Sequence, residues 1–407
     1  MRVSTLNLYN TSSTQLNNLQ SALARTQMQL STGRSILSPA DNPVASARAL
    51  EVTQSQGMNE QYATNRSSAK SALAATEGAL QNAGSLIQDI QTLAVNAGNG
   101  TMLPSDREAL AVELEGRLQD LLGVANTSDG NGGYLFSGYK TTTVPFTSTP
   151  GGAQYQGDQG VRQLQVGDSR KMPLSASGSA IFEAIPTGNG VFQTQALEGN
   201  KGAAIISAGS VTDRAALTGK PYALSFSVSD ATPPVTTYNI TDTSTNPATA
   251  VVSNQAYEAG KAISFGGMSF DIKGVPANGD KFSVEPSEKQ SLFTTVTNLI
   301  GALRAPTDGS SGKAALTNSL NTALGNLQQA QDNVLTVQAS VGAHMKELDY
   351  LDTAGDDLGV QYAATLDDLQ GLDEVKAISD FSQQQMTLQA AQMSFKTMSG
   401  LSLFNYL

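Results

Sequence analysis

The stretch YNTSSTQLNNLQSALARTQMQLSTGRSIL, residues 9–37, sets Tyr9, Leu16, Leu23, Leu30 and Leu37 seven residues apart, with Leu19 on the adjoining position. Seven residues make about two helical turns, so these side chains share one stripe, and Gln, Ser, Thr and Asn fill most of the remaining surface. The companion positions Ser12 and Thr26 are polar. That makes the seam too weak for an isolated coiled coil and calls for a partner helix. The far end of the chain offers one. Leu320, Leu327, Val334, Val341 and Leu348 repeat at seven, accompanied by Ala323, Ala330, Val337, His344 and Leu351. Past Gly355, where a break is expected, Phe381, Leu388 and Phe395 interleave with Ala377, Ala391 and Met398. The sequence closes on Leu401-Ser402-Leu403-Phe404-Asn405-Tyr406-Leu407, an apolar tail expected to bury itself against another chain or the N-terminal stripe.

Between these ends the periodicity changes. Ser38-Pro39-Ala40-Asp41-Asn42-Pro43 reads as a loop starting a new helix, with Asp41 or Asn42 as N-cap and Pro43 in the first turn. That helix is expected to run to about Gly98, with Leu73, Leu80, Ile87 and Ala94 at seven-residue spacing beside Ala83 and Ile90. Ser105 and Glu108 suggest a capping box, followed by Leu110, Leu114, Leu118, Leu121 and Ala125 on one face. Asp129-Gly130-Asn131-Gly132-Gly133 ends the helical block. From about 134 to 285 the period is two: Tyr222, Leu224, Phe226 and Val228 alternate with small residues, as do Met268, Phe270 and Ile272, and Phe282 with Val284. Asn278-Gly279 supplies a turn between the last two runs. Helix returns near Ser291.

Composition narrows the chemistry. Over 407 residues hydrophobic side chains make up 39% and aromatics 6%, with no Trp, which suits long helices packed by small side chains. A net charge of -11 without a Lys/Arg cluster argues against nucleic acid. The absence of Cys excludes disulfides, thiolate metal sites and a Cys nucleophile. No run of about 18 apolar residues suggests a membrane span, and the N-terminus lacks the pattern of a cleavable secretory signal. On composition alone the chain reads as cytoplasmic, or as exported with its N-terminus uncut.

Several segments resemble a known family. Gln29-Leu30-Ser31-Thr32-Gly33-Arg34, followed by SPADNPVASARAL at 38–50, resembles the flagellin superfamily, in which a long helix ends in a Leu-Ser-Ser-Gly-type turn. GYLFSGYKTTTVPF at 133–146, YQGDQGVRQLQVGD at 155–168 and LSLFNYL at 401–407 are similar to the hook-associated junction branch of that superfamily. Residues 262–268 and 274–280 add a looser likeness seen also in related hook-associated proteins. The resemblance implies a non-enzymatic structural part of the extracellular flagellum, at the hook-filament junction. It implies assembly with itself as a ring or helical layer, between the first hook-associated protein and flagellin. Export would run through the flagellar type III apparatus after a transient cytoplasmic stage, with a cytoplasmic export chaperone recognising the C-terminal helix. Flagellin itself and another hook-associated protein are the nearest alternatives, and an adhesin or enzyme carried by the β region is a rival of another class.

The remaining motifs read blandly. His344 is the only histidine, and His344-Met345-Lys346-Glu347 supplies too few ligands for a metal site. Adjacent carboxylates at Asp356-Asp357 and Asp367-Asp368 point in different directions on a helix. Residues 130–133 lack the Lys-Ser/Thr of a phosphate loop, and Gly188-Asn189-Gly190 opens no helix. No cofactor, metal, nucleic acid or membrane is expected.

The expected fold is α+β: a long antiparallel helical rod formed by the N- and C-terminal segments, as in a flagellin-like coiled coil, with an inserted β-rich outer domain. The divisions are a terminal helix at 1–42, the first half of the rod at 43–133, a β-hairpin region at 134–190 and the outer β domain at 191–287. The second half of the rod follows at 288–365 and the C-terminal helix at 366–407. The expected assembly interface comprises Tyr9, Leu16, Leu19, Leu23, Leu30, Leu37, Phe381, Leu388, Phe395, Met398, Leu401, Leu403, Phe404 and Leu407. The terminal helices are expected to gain most of their order when neighbouring subunits cover these stripes.

Overall fold

A computed structural model describes residues 5–400. Its helices are α1 (Thr5–Thr32), α2 (Pro43–Ala97), α3 (Pro104–Ala125), α4 (Leu292–Arg304), α5 (Gly309–Gln370) and α6 (Glu374–Gly400), with a β-rich middle. None of the described helices is long and apolar enough to cross a membrane. The chain folds as two compact units, one made of residues 1–65 and 350–407, the other of residues 66–349.

In the first unit α1 and α6 run antiparallel. The Tyr9 and Phe395 rings meet at 5.2 Å, and the Thr26 hydroxyl donates to Gln384 Oε1 at 3.0 Å. The Ser35 amide donates to the Gln370 carbonyl at 2.7 Å, and the Leu372 amide to Gly33 at 3.2 Å. Gly33 ends α1 at φ +65°, a conformation that an L side chain adopts at a cost. Asn42 is the N-cap of α2: its Oδ1 accepts the Ala45 amide at 3.1 Å and its carbonyl the Ser46 amide at 2.9 Å. Asp41 instead ties down the loop, accepting the Leu37 and Ser38 amides at 3.0 Å each and pairing with Arg25 at 2.6 Å.

The break expected after Gly355 lies elsewhere. α5 continues through Gly355, which is buried and whose carbonyl accepts the Asn59 side-chain amide at 2.7 Å. A lone helical glycine costs about 1 kcal/mol, which the surrounding turns absorb. The chain turns at Gly371, where a Cβ would stand 2.4 Å from the Asp367 carbonyl oxygen. Asp373 then caps α6 by accepting the Lys376 amide at 3.0 Å. The anticipated division at 365/366 therefore falls inside α5.

In the second unit the heptad stripes are core. Leu73, Leu80, Ile87 and Ala94 of α2 are buried, as are Leu320, Leu327, Val334, Val341 and Leu348 of α5. In α3 only Leu114, Leu121 and Ala125 of the anticipated face are fully buried; Leu110 and Leu118 are half-buried. The helix starts two residues earlier than a Ser105–Glu108 box would place it, and with Leu at the cap only the return half of such a box is made. Pro104 occupies the first helical position, Leu103 is the cap, and Asp106 accepts the Leu103 amide at 3.2 Å. Glu108 is held instead by Arg304 at 2.9 Å, while Arg304 also reaches Glu115 at 2.6 Å, zipping α3 to α4.

Five short strands and a helical turn follow α3: β1 (Phe146–Thr149), β2 (Gly152–Tyr155), β3 (Gln163–Gln165), β4 (Lys171–Pro173), a π-helical turn at Ser179–Glu183, and β5 (Ile185–Pro186). They enclose an aromatic cluster in which Phe146 lies 5.0 Å from Phe293 and 5.7 Å from Phe182, itself 5.7 Å from Phe136.

The remaining strands are β6 (Phe192–Ala196), β7 (Ile205–Ile206), β8 (Ser210–Val211), β9 (Tyr222–Val228), β10 (Thr236–Asp242), β11 (Thr249–Ala256), β12 (Ala262–Phe265), β13 (Met268–Lys273), β14 (Lys281–Pro286) and β15 (Lys289–Gln290). One antiparallel sheet has the order β11-β10-β9-β14-β6, a second β12-β13-β7 with β8 also on β13, and β15 pairs β5. The alternation in β9 and β13 puts Tyr222, Leu224, Phe226, Met268, Phe270 and Ile272 in one core with Phe282 and Val284. Each such side chain is worth about 1.5–3 kcal/mol on burial. Asn278-Gly279 does form a turn, closed by the Asp280 amide on the Ala277 carbonyl at 3.1 Å. It joins strands of different sheets, however, not a hairpin, because β14 pairs β9 and β6 while β13 pairs β12.

Candidate assembly surface

The surface begins with the two faces of α6. At about 100° per residue, Ala377, Phe381, Gln384, Leu388, Ala391 and Phe395 share one side of the helix, and this side packs on α1. Ala377 is buried; Phe381, Leu388 and Phe395 are half-buried. By the same rotation Val375, Met386 and Met393 fall on the opposite side and Ile378 on its flank, and all four are exposed, Val375 at 82%. Exposed apolar side chains recur elsewhere in the same unit: Met28 of α1, Val44 (80%) and Leu50 at the start of α2, and Tyr350, Leu358 and Val360 near the end of α5.

The anticipated interface residues therefore divide. Leu16, Leu19, Leu23, Leu30 and Leu37 are half-buried, and Thr26 between them is buried against Gln384. Much of the shelter expected from other subunits comes from within the chain. Tyr9 stays 57% exposed even with Phe395 beside it. Met398 lies in α6, and Leu401, Leu403, Phe404 and Leu407 lie outside the described residues. The outward ribbon of α6 went unread in the sequence because it uses Val, Ile and Met at spacings of three, eight and seven, beside a more regular Phe/Leu stripe.

A second set of residues positions the β module. Asn318, Asn326 and Asn333 follow one side of α5 and bond to backbone of the middle segment. Asn318 accepts the Ile206 amide and donates to the Ala204 carbonyl, both at 3.0 Å; Asn326 accepts the Gly188 amide at 2.7 Å. Asn333 donates to the carbonyls of Ala180 and Ile181 at 3.0 and 2.8 Å. Sequence reasoning missed them, since an Asn in a helix ordinarily reads as a solvated surface residue.

Electrostatics here hold structure together. Lys220 at 2.7 Å and the Ser244 hydroxyl and amide pull the Asp242 carboxyl down to about 2. The Ser38 and Leu37 amides, with Arg25, lower that of Asp41. His344 is half-buried on α5, and among the described residues no His/Cys/Asp/Glu cluster could hold a metal.

Comparison with known proteins fits this architecture. Residues 3–141 match the bacterial flagellin N-terminal helical region. The chain is 28% identical over 405 residues to flagellar hook-associated protein 3 of Escherichia coli K12, covering 99% of both. The crystal structure of flagellar hook-associated protein 3 from Legionella pneumophila superposes with a TM-score of 0.74 at 33% identity, covering 78% of this chain and 98% of that one. A flagellin from Salmonella muenchen matches at 30% over only 136 residues, 33% of this chain and 27% of that one. The flagellin match thus takes in a third of this chain, whereas the match to hook-associated protein 3 runs over nearly all of it. The chain belongs to the flagellar hook-associated protein 3 family.

Proposed function

We propose that this chain is the structural subunit of the hook-filament junction, a non-catalytic layer between the first hook-associated protein and flagellin. It joins copies of itself and both neighbours, reaches the extracellular flagellum through the flagellar type III apparatus, and is met beforehand in the cytoplasm by an export chaperone that recognises α6. The observation that carries this reading is the two-sided α6: one face holds α1, and the opposite face, with Ile378 on its flank, offers Val375, Met386 and Met393 to another protein. Apolar ribbons left open on a paired helix are what a subunit needs to gain hydrophobic burial on assembly. The half-buried α1 leucines add contact area next to the α1–α6 seam.

The test is a strain whose sole copy carries Met386→Asp and Met393→Asp. Both side chains are exposed, so the purified variant keeps the urea midpoint of the parent. Cells should bear hooks without filaments and release flagellin to the medium. Filaments attached at normal number and strength would contradict the proposal.

A further inference from the structure

Sulfur is spread unevenly over this chain. Among the described residues the exposed methionines are Met28, Met58, Met386 and Met393, and all four lie in the first unit. Met172 and Met268, in the second unit, are buried at 1% and 5% exposure. The α1–α6 pair also sorts its side chains by chemistry. Its half-buried seam residues Leu16, Leu19, Leu23, Leu30, Phe381, Leu388 and Phe395 carry no sulfur. On the outward side of α6, Met386 and Met393 are 65% and 69% exposed and stand about two turns apart, one above the other.

A thioether is apolar, and a mild oxidant makes it polar. With no Cys or Trp in the chain, it is the side chain that peroxide attacks first. A sulfur lone pair attacks one peroxide oxygen, and the O–O bond breaks as the S–O bond forms. The hydroxyl now on sulfur gives its proton to the departing hydroxide, which leaves as water. Sulfur is oxidised by two electrons and the peroxide is reduced by the same two. The product is a sulfoxide whose oxygen accepts hydrogen bonds strongly, and burying it against an apolar neighbour would leave that acceptor without a donor. The face that gains hydrophobic burial on assembly thus becomes one that favours water. The seam, free of sulfur, keeps α1 and α6 together.

We propose that Met386 and Met393 form a modification site, at which a hydroperoxide converts the outward face of α6 to sulfoxide in the free subunit and bars that subunit from assembly without unfolding it. The inference rests on the junction reading above and adds a redox control to the surface which that reading uses. A methionine sulfoxide reductase reverses it, since two thiol hydrogens return each sulfoxide to thioether and water while the thiols become a disulfide.

Lys376 and Lys396 bracket both residues with no Lys or Arg between them, so trypsin releases residues 377–396 as one peptide holding these two methionines. In the purified chain under dilute hydrogen peroxide, this peptide should gain oxygen at least tenfold faster than the peptides holding Met172 and Met268, at an unchanged urea midpoint. Comparable rates, or a lowered midpoint, would overturn the proposal. The chain, freed of peroxide, is then added to cells of a strain lacking the gene, and hook ends are labelled with immunogold. Oxidised chain should label at most a tenth as many hook ends as untreated chain, and reductase with dithiothreitol should restore the labelling. Equal labelling would overturn the proposal and leave the junction reading standing. For a variant carrying Met386→Leu and Met393→Leu, treated and untreated samples should label alike; a treated variant still excluded would put the lesion elsewhere and overturn the site. Untreated wild-type chain absent from hook ends would overturn the junction reading itself, and this inference with it.

Discussion

Asn318→Leu is the substitution whose consequence follows most directly from geometry. Leu is close in size, so the helix and its packing survive, but two backbone groups lose their partners. The Ile206 amide loses Oδ1 and the Ala204 carbonyl loses Nδ2, each now bonded at 3.0 Å with both residues under 5% exposed. An orphaned buried backbone group costs about 1–3 kcal/mol, giving about 2–6 kcal/mol for the pair. Asn318 and Ala204 also line a cleft of about 500 Å³ between β6, α4 and the first turns of α5, so water can reach one of them and the lower half of that range applies. Urea denaturation of the purified chain should therefore show a loss of about 2–3 kcal/mol, and hydrogen exchange should show the Ile206 amide losing protection first. Asn318→Asp sharpens the test. It keeps the acceptor for Ile206 but turns a carboxylate oxygen on the Ala204 carbonyl, so the loss is larger at pH 7 and recovers as acid restores a donor. Ser319→Ala, one residue along and exposed, should be neutral. An Asn318→Leu protein within about 0.5 kcal/mol of wild type, with Ile206 still protected, would refute the reasoning.

Three further outcomes are expected. Leu23→Asp, which puts a charge in the half-buried α1–α6 seam, should block incorporation into flagella while the β module keeps its near-UV circular dichroism; normal filament attachment would count against it. Asp280 is buried and accepts the amides of Lys201, Gly202 and Ala277 at 2.8–3.0 Å, so Asp280→Ala should cost at least about 2 kcal/mol by urea titration, read on the sheet. Asp242 is lowered to about 2 from an ordinary 3.8, so its contribution to stability is complete above pH 4 and disappears as pH falls towards 2. Its partner Lys220 is raised, so that side of the pair holds below pH 10.5 and weakens above it. Asp242→Asn should lower the melting temperature at pH 7 and flatten the acid limb between pH 4 and 2.

Much of the helical architecture was written in local periodicity. Leu73, Leu80 and Ile87, or Leu320, Leu327 and Val334, lie seven apart because each must return to the same core, and the fold buries them all. Likewise Pro43 and Asn42 announce a helix start through covalent geometry that acts within four residues. What was not legible depends on partners distant in sequence. Gly355 and Gly371 are both glycines in helical surroundings, and only the Asn59 contact at one and the Gly33 and Asp367 contacts at the other decide which position turns the chain. Asn278-Gly279 signals a turn but not which sheets it joins, since strand pairing is settled by the whole core. The outward ribbon of α6 and the asparagines of α5 were hidden for one reason. Their meaning lies in what they face, and an exposed Met or a helical Asn carries no mark of its partner.

The most direct measurement is electron microscopy of a strain lacking this gene, with flagellin assayed in the medium. The account predicts short hooks that carry no filament, with flagellin released, and recovery of filaments when the gene is restored. Filaments of normal length seated firmly on hooks in the deleted strain would contradict it.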